Sequence, residues 1–327
     1  MSDLHLVDMD SELVSEPNRK GFGRGLKMAG ELDKNVVALC ADLTESTQIS
    51  VFRDAFPDRY IEIGIAEQNL VTVSSGLAAQ GKIPFCASYA AFSPGRNWEQ
   101  IRTTICLNDM PVKIIGAHAG LSVGADGATH QILEDIAIMR VLPNMVVIAP
   151  GDSVEAEKAT LAMAKDKRPN YMRLAREASP IMTTDKTPFE IGKAYVYSKG
   201  TDVTIVATGL MTYNAVKAAE ILFKDGIEAE VVHCPTIKPL DSETILKSIA
   251  RTGCVVVCEE AQIAGGLAGA VAELIAENRP VFMERIGVKD KFGQSGSPAE
   301  LYELYGLTSK HIAMAAHSVV DKKKGKK

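Results

Sequence analysis

The sequence lacks the features that mark membrane-spanning and exported proteins. No apolar run approaches the length of about 18 residues that a membrane-spanning helix needs, so we expect no membrane partner. Residues 1–16 are acidic and contain no apolar segment of the kind that directs export. The six cysteines include no CxxC pair and mostly lie in apolar runs, which predicts reduced, buried thiols in a cytoplasmic protein.

Concentrated charge is also scarce. The 327 residues carry a formal net charge of −5, and the dense basic run is confined to Lys322–Lys327. Because no aromatic residues are interleaved with these lysines, the run lacks the character of a nucleic-acid site. We therefore expect a solvated, disordered end at Lys322–Lys327, within a basic tail at residues 319–327, and no nucleic-acid partner.

What the sequence does contain is an alternation of short apolar runs with longer segments of helical periodicity. Runs such as Val36–Cys40 and Val112–Gly116 predict buried parallel strands, and segments such as Glu67–Ala79 predict helices between them. The pattern predicts an α/β protein with mostly parallel sheets flanked by helices. Because 327 residues exceed the comfortable size of one core, we expect two domains. The predicted divisions are an N-terminal extension at 1–16, a first domain at 17–180, a linker at 181–193, a second domain at 194–318 and the tail at 319–327.

The string Gly64-Ile65-Ala66-Glu67-Gln68-Asn69 stands where a predicted strand meets a predicted helix. In open α/β sheets, ligands bind at the carboxyl ends of strands, so Glu67 occupies a position suited to a functional carboxylate. A glutamate in the first turn of a helix also complements the helix dipole. From these six residues alone, the structural role is the favoured interpretation.

Three aromatic residues, Phe85, Tyr89 and Phe92, accompany the next predicted strand. Such a set is suited to cradling a flat heteroaromatic ring. Local sequence favours the alternative, in which the three side chains belong to the hydrophobic core.

The segment from His118 to His130 places two histidines, one aspartate and three glycines in a loop after a predicted strand. Two histidines flanking Asp126 are a conceivable metal site, but their spacing matches no zinc signature and no cysteine accompanies them. Loops held on a rigid sheet are where binding groups concentrate. We therefore interpret this loop as an anion or sugar site.

Taken together, these segments resemble the transketolase family over nearly the whole chain. The loop has the family's substrate-loop order of histidine, aspartate eight residues later and histidine four later. Ala41–Ser46 is similar to the family's cofactor-contacting strand end, and Arg19 precedes Ser46 by 27 residues, like the family's arginine–serine phosphate pair. Leu174-Ala175-Arg176 resembles the segment that supplies a second phosphate-binding arginine.

The resemblance implies roles for individual residues. Glu67 would be catalytic and hydrogen-bond the aminopyrimidine ring of thiamine diphosphate, which suits a carboxyl in a dry pocket because ionisation is disfavoured there. His130 would be the second catalytic residue, at the reacting end of the substrate. The further residues implied to line the cofactor pocket are Asp42, Phe85, Tyr89 and Phe92. The residues implied to bind a sugar phosphate are Arg19, Ser46, His118, Asp126, His130 and Arg176. Of these, Asp126 would recognise a hydroxyl group of the substrate.

One family motif is missing. Full-length transketolases hold the metal and the diphosphate through a Gly-Asp-Gly motif, whereas the nearest string here is Gly151-Asp152-Ser153. The resemblance therefore implies a split transketolase, in which a separate N-terminal subunit holds the diphosphate and Mg²⁺ or a similar divalent metal. We expect a heterotetramer that transfers a two-carbon ketol unit between phosphorylated sugars.

Three other functions are weighed against this one. A 2-oxo acid dehydrogenase beta subunit has the same two domains, but its substrate offers no phosphate for the Arg19–Ser46 pair. A deoxyxylulose-phosphate synthase half shares the Gly-Ile-Ala-Glu-Gln string, but it is not expected to reproduce the histidine–aspartate–histidine spacing. A non-catalytic scaffold would not need Glu67 or Asp126.

Arg176 bears most directly on the substrate. A structural arginine after a buried strand needs an acidic partner, and the adjacent Glu177 would face the other way if the strand continued. We therefore expect a ligand to be the partner of Arg176.

Overall fold

The computed structural model describes residues 4–9 and 11–325. It contains two α/β domains, each with a mostly parallel sheet between helices, which confirms the predicted fold class. The elements of the first domain are β1 (Ser15–Pro17), α1 (Asn18–Leu32), β2 (Val36–Cys40), α2 (Ser50–Ala55), β3 (Tyr60–Glu62), α3 (Glu67–Ala79), β4 (Ile83–Tyr89), α4 (Trp98–Gln100), β5 (Lys113–Ala117), α5 (Asp135–Arg140), β6 (Val146–Ile148), α6 (Ser153–Lys165), β7 (Asn170–Arg173) and β8 (Ala178–Pro180). Those of the second are β9 (Tyr195–Ser198), β10 (Val203–Ala207), α7 (Met211–Lys224), β11 (Ala229–His233), β12 (Thr236–Lys238), α8 (Ser242–Thr252), β13 (Cys254–Gln262), α9 (Leu267–Asn278), β14 (Phe282–Val288), α10 (Pro298–Leu304) and α11 (Ser309–Lys323).

The first sheet has the order β12-β6-β7-β5-β4-β2-β3. Its six strands from β2 to β7 run parallel, and β12 pairs antiparallel with β6. The edge strand β12 comes from the chain of the second domain, so the first sheet draws a strand from outside residues 17–180. A strand of three residues carries too short a pattern to be recognised in a sequence.

The second sheet has the order β14-β13-β10-β11-β9, with four parallel strands and β9 antiparallel to β11. Helix α11 packs over β13 and β14. The predicted tail does not begin at residue 319, because Val319 and Val320 are buried in the core. The disorder predicted at Lys322–Lys327 is wrong for Lys322 and Lys323, where helix α11 continues. Part of the predicted tail, residues 326 and 327, lies outside the described residues.

The two domains meet through buried polar contacts. The Ala149 N–H donates to the Pro235 carbonyl at 2.8 Å, and His233 Nε2 lies 2.8 Å from Glu155 Oε2. Nearby, Arg173 Nε lies 3.0 Å from Asp135 Oδ2, and both side chains are nearly inaccessible to solvent. This rigid junction supports the loops at one end of the first sheet.

All six cysteines are free and buried, which confirms the prediction of reduced, buried thiols. Among the described residues, no helix combines the length and the apolar character needed to cross a membrane.

Candidate active site

The carboxyl ends of five adjacent parallel strands meet at one edge of the first sheet. In spatial order these strands are β7, β5, β4, β2 and β3. Arg176 follows β7, His118 follows β5, Tyr89 and Phe92 lie at and after the end of β4, Asp42 and Ser46 follow β2, and Glu67 follows β3. Ligands of parallel α/β sheets bind at this edge, which makes it the candidate active site.

Glu67 is the first residue of α3, and only 3% of it is exposed. Its Oε2 accepts a hydrogen bond from Arg96 Nη1 at 3.0 Å, and its backbone carbonyl accepts from Asn97 Nδ2 at 2.7 Å. A buried carboxylate needs such partners because an unpaired charge is costly away from water. Glu67 is therefore a specifically held side chain and not a solvated residue at a helix start.

Arg96 is a site residue that sequence reasoning missed. Besides its ion pair with Glu67, its guanidinium carbon lies 4.8 Å from the centroid of the Phe92 ring, a cation–π arrangement. Half of the Arg96 side chain is nevertheless exposed, at 53%. The only signal in the sequence was its position just after the aromatic set, in the turn that leads to α4.

Tyr89, Phe92 and His130 form one contiguous group of rings, which we call the aromatic group. The Tyr89 and Phe92 rings are stacked with centroids 6.1 Å apart, and Phe92 meets His130 edge-on at 5.4 Å. On its other side, Tyr89 stacks on His118 at 4.0 Å. The group therefore connects the end of β4 to both ends of the loop from His118 to His130.

Phe85 does not belong to this group, contrary to the expectation that it lines the cofactor pocket. It is fully buried within β4 and packs in a core cluster that includes Phe22, Phe52 and Ala87. A ring inside that core is inaccessible to any ligand at the strand ends. The local interpretation of Phe85 as core is correct, while Tyr89 and Phe92 lie at the sheet edge.

His118 lies between two arginines. It is almost fully buried, and its backbone has a φ of +54°, an uncommon value for a residue other than glycine. Burial and then the nearby positive charges of Arg19 and Arg176 lower the pKa of His118 to about 3. We call Arg19, His118 and Arg176 the basic cluster. Arg19 Nη1 donates to the Arg176 backbone carbonyl, which ties α1 to the end of β7.

Arg176 has acidic neighbours, contrary to the expectation that only a ligand faces it. Its Nη1 lies 3.4 Å from Asp126 Oδ1, and its Nε lies 3.8 Å from Glu177 Oε1. Strand β7 ends at Arg173, so the alternation that would have turned Glu177 away does not reach it. Arg176 Nη1 also donates to the Val123 carbonyl at 2.7 Å, which anchors the loop that carries Asp126.

Asp42 and Ser46 lie at the same sheet edge but make no recorded side-chain contact with the aromatic group or the basic cluster. Asp42 is exposed and has a φ of +58°. Its N–H donates to Glu62 Oε1 at 2.8 Å, and the Gly64 N–H donates to the same oxygen at the same distance. Burial opposes this arrangement, but hydrogen bonds from Tyr60 and these two amides hold the pKa of Glu62 below its usual range. Glu62, another residue that the sequence did not reveal, thus holds the backbone after β2 at Asp42 and the backbone after β3 at Gly64.

The residues present fit a flat cofactor with an anionic substrate. Arg19 Nε and His118 Nδ1 are buried without a hydrogen-bond partner among the described residues, which suits groups that contact a ligand. Tyr89 and Phe92 supply ring faces beside the buried Glu67 carboxyl. The described part of the chain contains no group of three or more His, Cys, Asp or Glu side chains arranged to hold a metal ion.

Two family descriptions match the chain. Residues 17–181 match the transketolase pyrimidine-binding domain, and residues 192–312 match the transketolase C-terminal domain. A 6-deoxy-6-sulfo-D-fructose transketolase subunit from Clostridium sp. is 41% identical over 89% of this chain and 90% of its own. Human transketolase is 34% identical over 93% of this chain, which spans 49% of the human protein. A solved structure titled as the inactive beta4 tetramer of a split gene transketolase is 42% identical, covers 93% of this chain and 98% of its own, and superimposes with a TM-score of 0.88. The chain therefore belongs to the transketolase family, of which it contains the pyrimidine-binding and C-terminal domains.

Proposed function

We propose that the chain is one subunit of a split transketolase that transfers a two-carbon ketol unit between phosphorylated sugars. The observation that carries this proposal is the grouping of Glu67, the aromatic group and the basic cluster at one sheet edge. Each of the three meets a separate need: a carboxyl for the cofactor ring, ring faces to stack on it, and positive charge for the substrate.

Glu67, Tyr89 and Phe92 would hold the aminopyrimidine half of thiamine diphosphate. The cofactor supplies the carbanion chemistry when bound, while the protein orients it. Glu67 would hydrogen-bond the ring, and for this Arg96 must release its Oε2 or share it. Because Arg96 is half exposed, it has room to swing away. Asp42, one strand over, would line the far side of the cofactor.

The basic cluster would bind the substrate phosphate. Burial and then the charges of Arg19 and Arg176 lower the pKa of His118, so both guanidinium groups lie near it, where they would bind one anion together. Guanidinium groups bind phosphate oxygens in pairs, with charge-assisted hydrogen bonds. Ser46 would add a hydroxyl donor from the turn after β2.

Asp126 and His130 would contact the sugar itself. Asp126 would accept a hydrogen bond from a hydroxyl, and His130, against Phe92, would lie at the reacting end. Since Asp126 is paired with Arg176, binding of the phosphate by Arg176 and recognition of the sugar hydroxyl by Asp126 would be coupled. A phosphate that takes over Arg176 would free Asp126 to accept from the substrate.

An N-terminal subunit would complete the site and hold Mg²⁺ or a similar divalent metal. Apolar side chains are exposed beside Glu67: Ile65 at 76% and Val73 at 39%. Exposed apolar residues next to a site are suited to being covered by a partner. The related tetramer of beta chains alone is titled inactive, which agrees with a need for a second kind of subunit. We propose a heterotetramer in the cytoplasm, where free thiols such as these six stay reduced.

Reconstitution tests the proposal. The chain should be assayed alone and after mixing with an N-terminal subunit that contains a Gly-Asp-Gly motif, in the presence of thiamine diphosphate and Mg²⁺. We expect ketol transfer from a ketose phosphate only in the mixture. Tight cofactor binding and turnover by the isolated chain would disprove the requirement for a partner.

The donor's anionic group needs a separate comparison. The Clostridium relative is named for a sulfonated sugar, and a sulfonate presents oxygens to the basic cluster much as a phosphate does. We expect a ketose phosphate to be preferred, because a doubly charged phosphate gains more from two arginines than a singly charged sulfonate does. Higher kcat/KM with the sulfonated donor would change the substrate class, and higher kcat/KM with an unphosphorylated 2-oxo acid would change the reaction.

A further inference from the structure

The loop from His118 to His130, which we call the substrate loop, consists mostly of irregular backbone. Three of its glycines, Gly120, Gly124 and Gly127, have positive φ angles of +85°, +78° and +75°. Only one short helical stretch, Leu121–Asp126, interrupts the irregular backbone, and it is itself kinked at Gly124. Backbone of this kind keeps one conformation only where its surroundings determine it.

The second domain supplies such a contact through Glu260, close to the end of β13. Glu260 is 3% exposed, and its Oε1 accepts a hydrogen bond from the buried Ser122 N–H at 2.6 Å. A Cβ atom added to Gly120 would lie 2.5 Å from the same oxygen, so the substrate loop rests directly on this carboxyl. In the sequence, Ser122 stands midway between His118 and Asp126.

The backbone of Glu260 is in turn held by buried polar contacts. Arg173 Nη2 donates to its backbone carbonyl at 2.6 Å, and Arg173 pairs with the buried Asp135. The Tyr171 hydroxyl donates to the same carboxylate, Asp135 Oδ2, at 2.8 Å. The backbone that carries the Glu260 carboxyl is therefore held by a buried polar network at the domain junction.

We infer that Glu260 is a positioning residue that sets the substrate loop, and with it His118 and Asp126, in place for the sugar phosphate. This rests on the proposed function of the loop. Glu260 touches neither the aromatic group nor Glu67, so its influence should fall on the substrate and spare the cofactor. The second domain thereby takes part in substrate selection through the Glu260 side chain.

The test compares Glu260→Ala with Glu260→Gln in the reconstituted enzyme. Alanine leaves the Ser122 N–H buried and unpaired, so KM for the ketose phosphate should rise about 10- to 100-fold, with smaller changes in kcat and in thiamine diphosphate affinity. Glutamine keeps an oxygen acceptor and should restore KM to near the wild-type value. If the alanine variant does not fold, Glu260→Met, which keeps the length of the side chain but has no oxygen acceptor, replaces it in the KM measurement and in the exchange measurement below.

The adjacent Glu259 is the matched control. It is equally buried, but its oxygens accept from the Leu267 and Ala268 amides at 2.8 Å, at the start of α9 and away from the substrate loop. Glu259→Gln should leave KM for the donor unchanged.

Amide hydrogen exchange at residues 118–126 measures how firmly the substrate loop is held, independently of activity. Exchange should quicken in Glu260→Ala and stay unchanged in Glu259→Gln. Unchanged exchange, or quicker exchange with an unaltered KM, would overturn the inference. A wild-type complex without ketol transfer would instead count against the proposed function, and the exchange result would still decide whether Glu260 holds the loop.

Discussion

The sheet edge and the domain junction each contain an arginine paired with a buried carboxylate, and the two pairs differ most in the exposure of the arginine. Arg96 and Glu67 are 3.0 Å apart, with side chains 53% and 3% exposed. Arg173 and Asp135 are also 3.0 Å apart, with side chains 7% and 0% exposed. An arginine with access to water is solvated when it leaves its partner, whereas separating a pair in which both side chains are buried leaves two charges without compensation. At the same distance, the Arg96–Glu67 pair at the sheet edge can exchange partners, whereas the Arg173–Asp135 pair at the junction is permanent.

Replacement of Glu67 should give the largest effect and confine it to catalysis. Glu67→Gln keeps the shape of the side chain but cannot share a proton with the cofactor ring, so kcat of the reconstituted enzyme should fall about 10²- to 10⁴-fold. The free energy of unfolding in urea should change by less than about 1 kcal/mol, because the Arg96 partner can turn to water. Near-normal kcat would assign Glu67 to the start of α3 and nothing more.

Replacement of the junction arginine should act on stability. Arg173→Met leaves Asp135 buried without its cation, so the chain should lose about 3–5 kcal/mol of unfolding free energy. Arg96→Met is the comparison: it also leaves a buried carboxylate, Glu67, without its cation, but it removes an arginine that is half exposed, so it should lose less. Urea titration of the two isolated variants measures both values. Similar losses would mean that exposure does not distinguish the two pairs.

A third change addresses the pair formed by Arg176 and Asp126, which is intermediate in exposure. Arg176→Ala should raise KM for a ketose phosphate about 10-fold, the lower end of what a charge-assisted hydrogen bond is worth, because phosphate must displace Asp126. Arg19→Ala should act alike, and kcat should change less. A short hydroxy-keto acid donor serves as the control and should be nearly unaffected. Equal losses for both donors would assign the arginines to the fold.

The smallest effect concerns His118, a buried group in the exposed region. Its pKa of about 3 in the folded chain lies below the ordinary value of 6.5, so the unfolded chain binds more protons between these pH values. Stability should therefore fall as pH drops below 6.5, and His118→Asn should lack this part of the loss. The difference should reach about 1.4 kcal/mol at pH 5.5 compared with pH 7.5, measured by urea unfolding. Parallel pH dependence in the two proteins would show that His118 titrates normally.

The sequence predicted secondary structure well where the pattern that specifies an element lies within that element. Helix Glu67–Ala79 begins and ends where predicted, because apolar spacing is a local pattern. Phe85 was misassigned because β4 is buried on both faces, which removes the alternation that would separate core from site. Helix α11 was missed because Val319 and Val320 are followed directly by a lysine-rich run, which is typical of a solvated chain end.

Pairs between distant positions leave no such pattern. Arg96 lies 29 residues from Glu67, and Glu260 lies 138 residues from Ser122. Each is an ordinary charged residue in its own segment and gains its role only through the fold. The family resemblance gave the residues at the strand ends, but not the side chains that hold them.

The close packing of the substrate loop against the second domain has a consequence for recombination. A Cβ atom on Gly127 would lie 2.7 Å from Ser295 Oγ, and one on Gly124 would lie 3.3 Å from the Gly296 carbonyl. Homologous subunits whose second domains are shaped differently at these positions would not fit the same loop. A chimera that joins the first domain of this chain to the second domain of a relative should therefore inherit an altered sugar preference, although every residue expected to contact the sugar comes from the first parent.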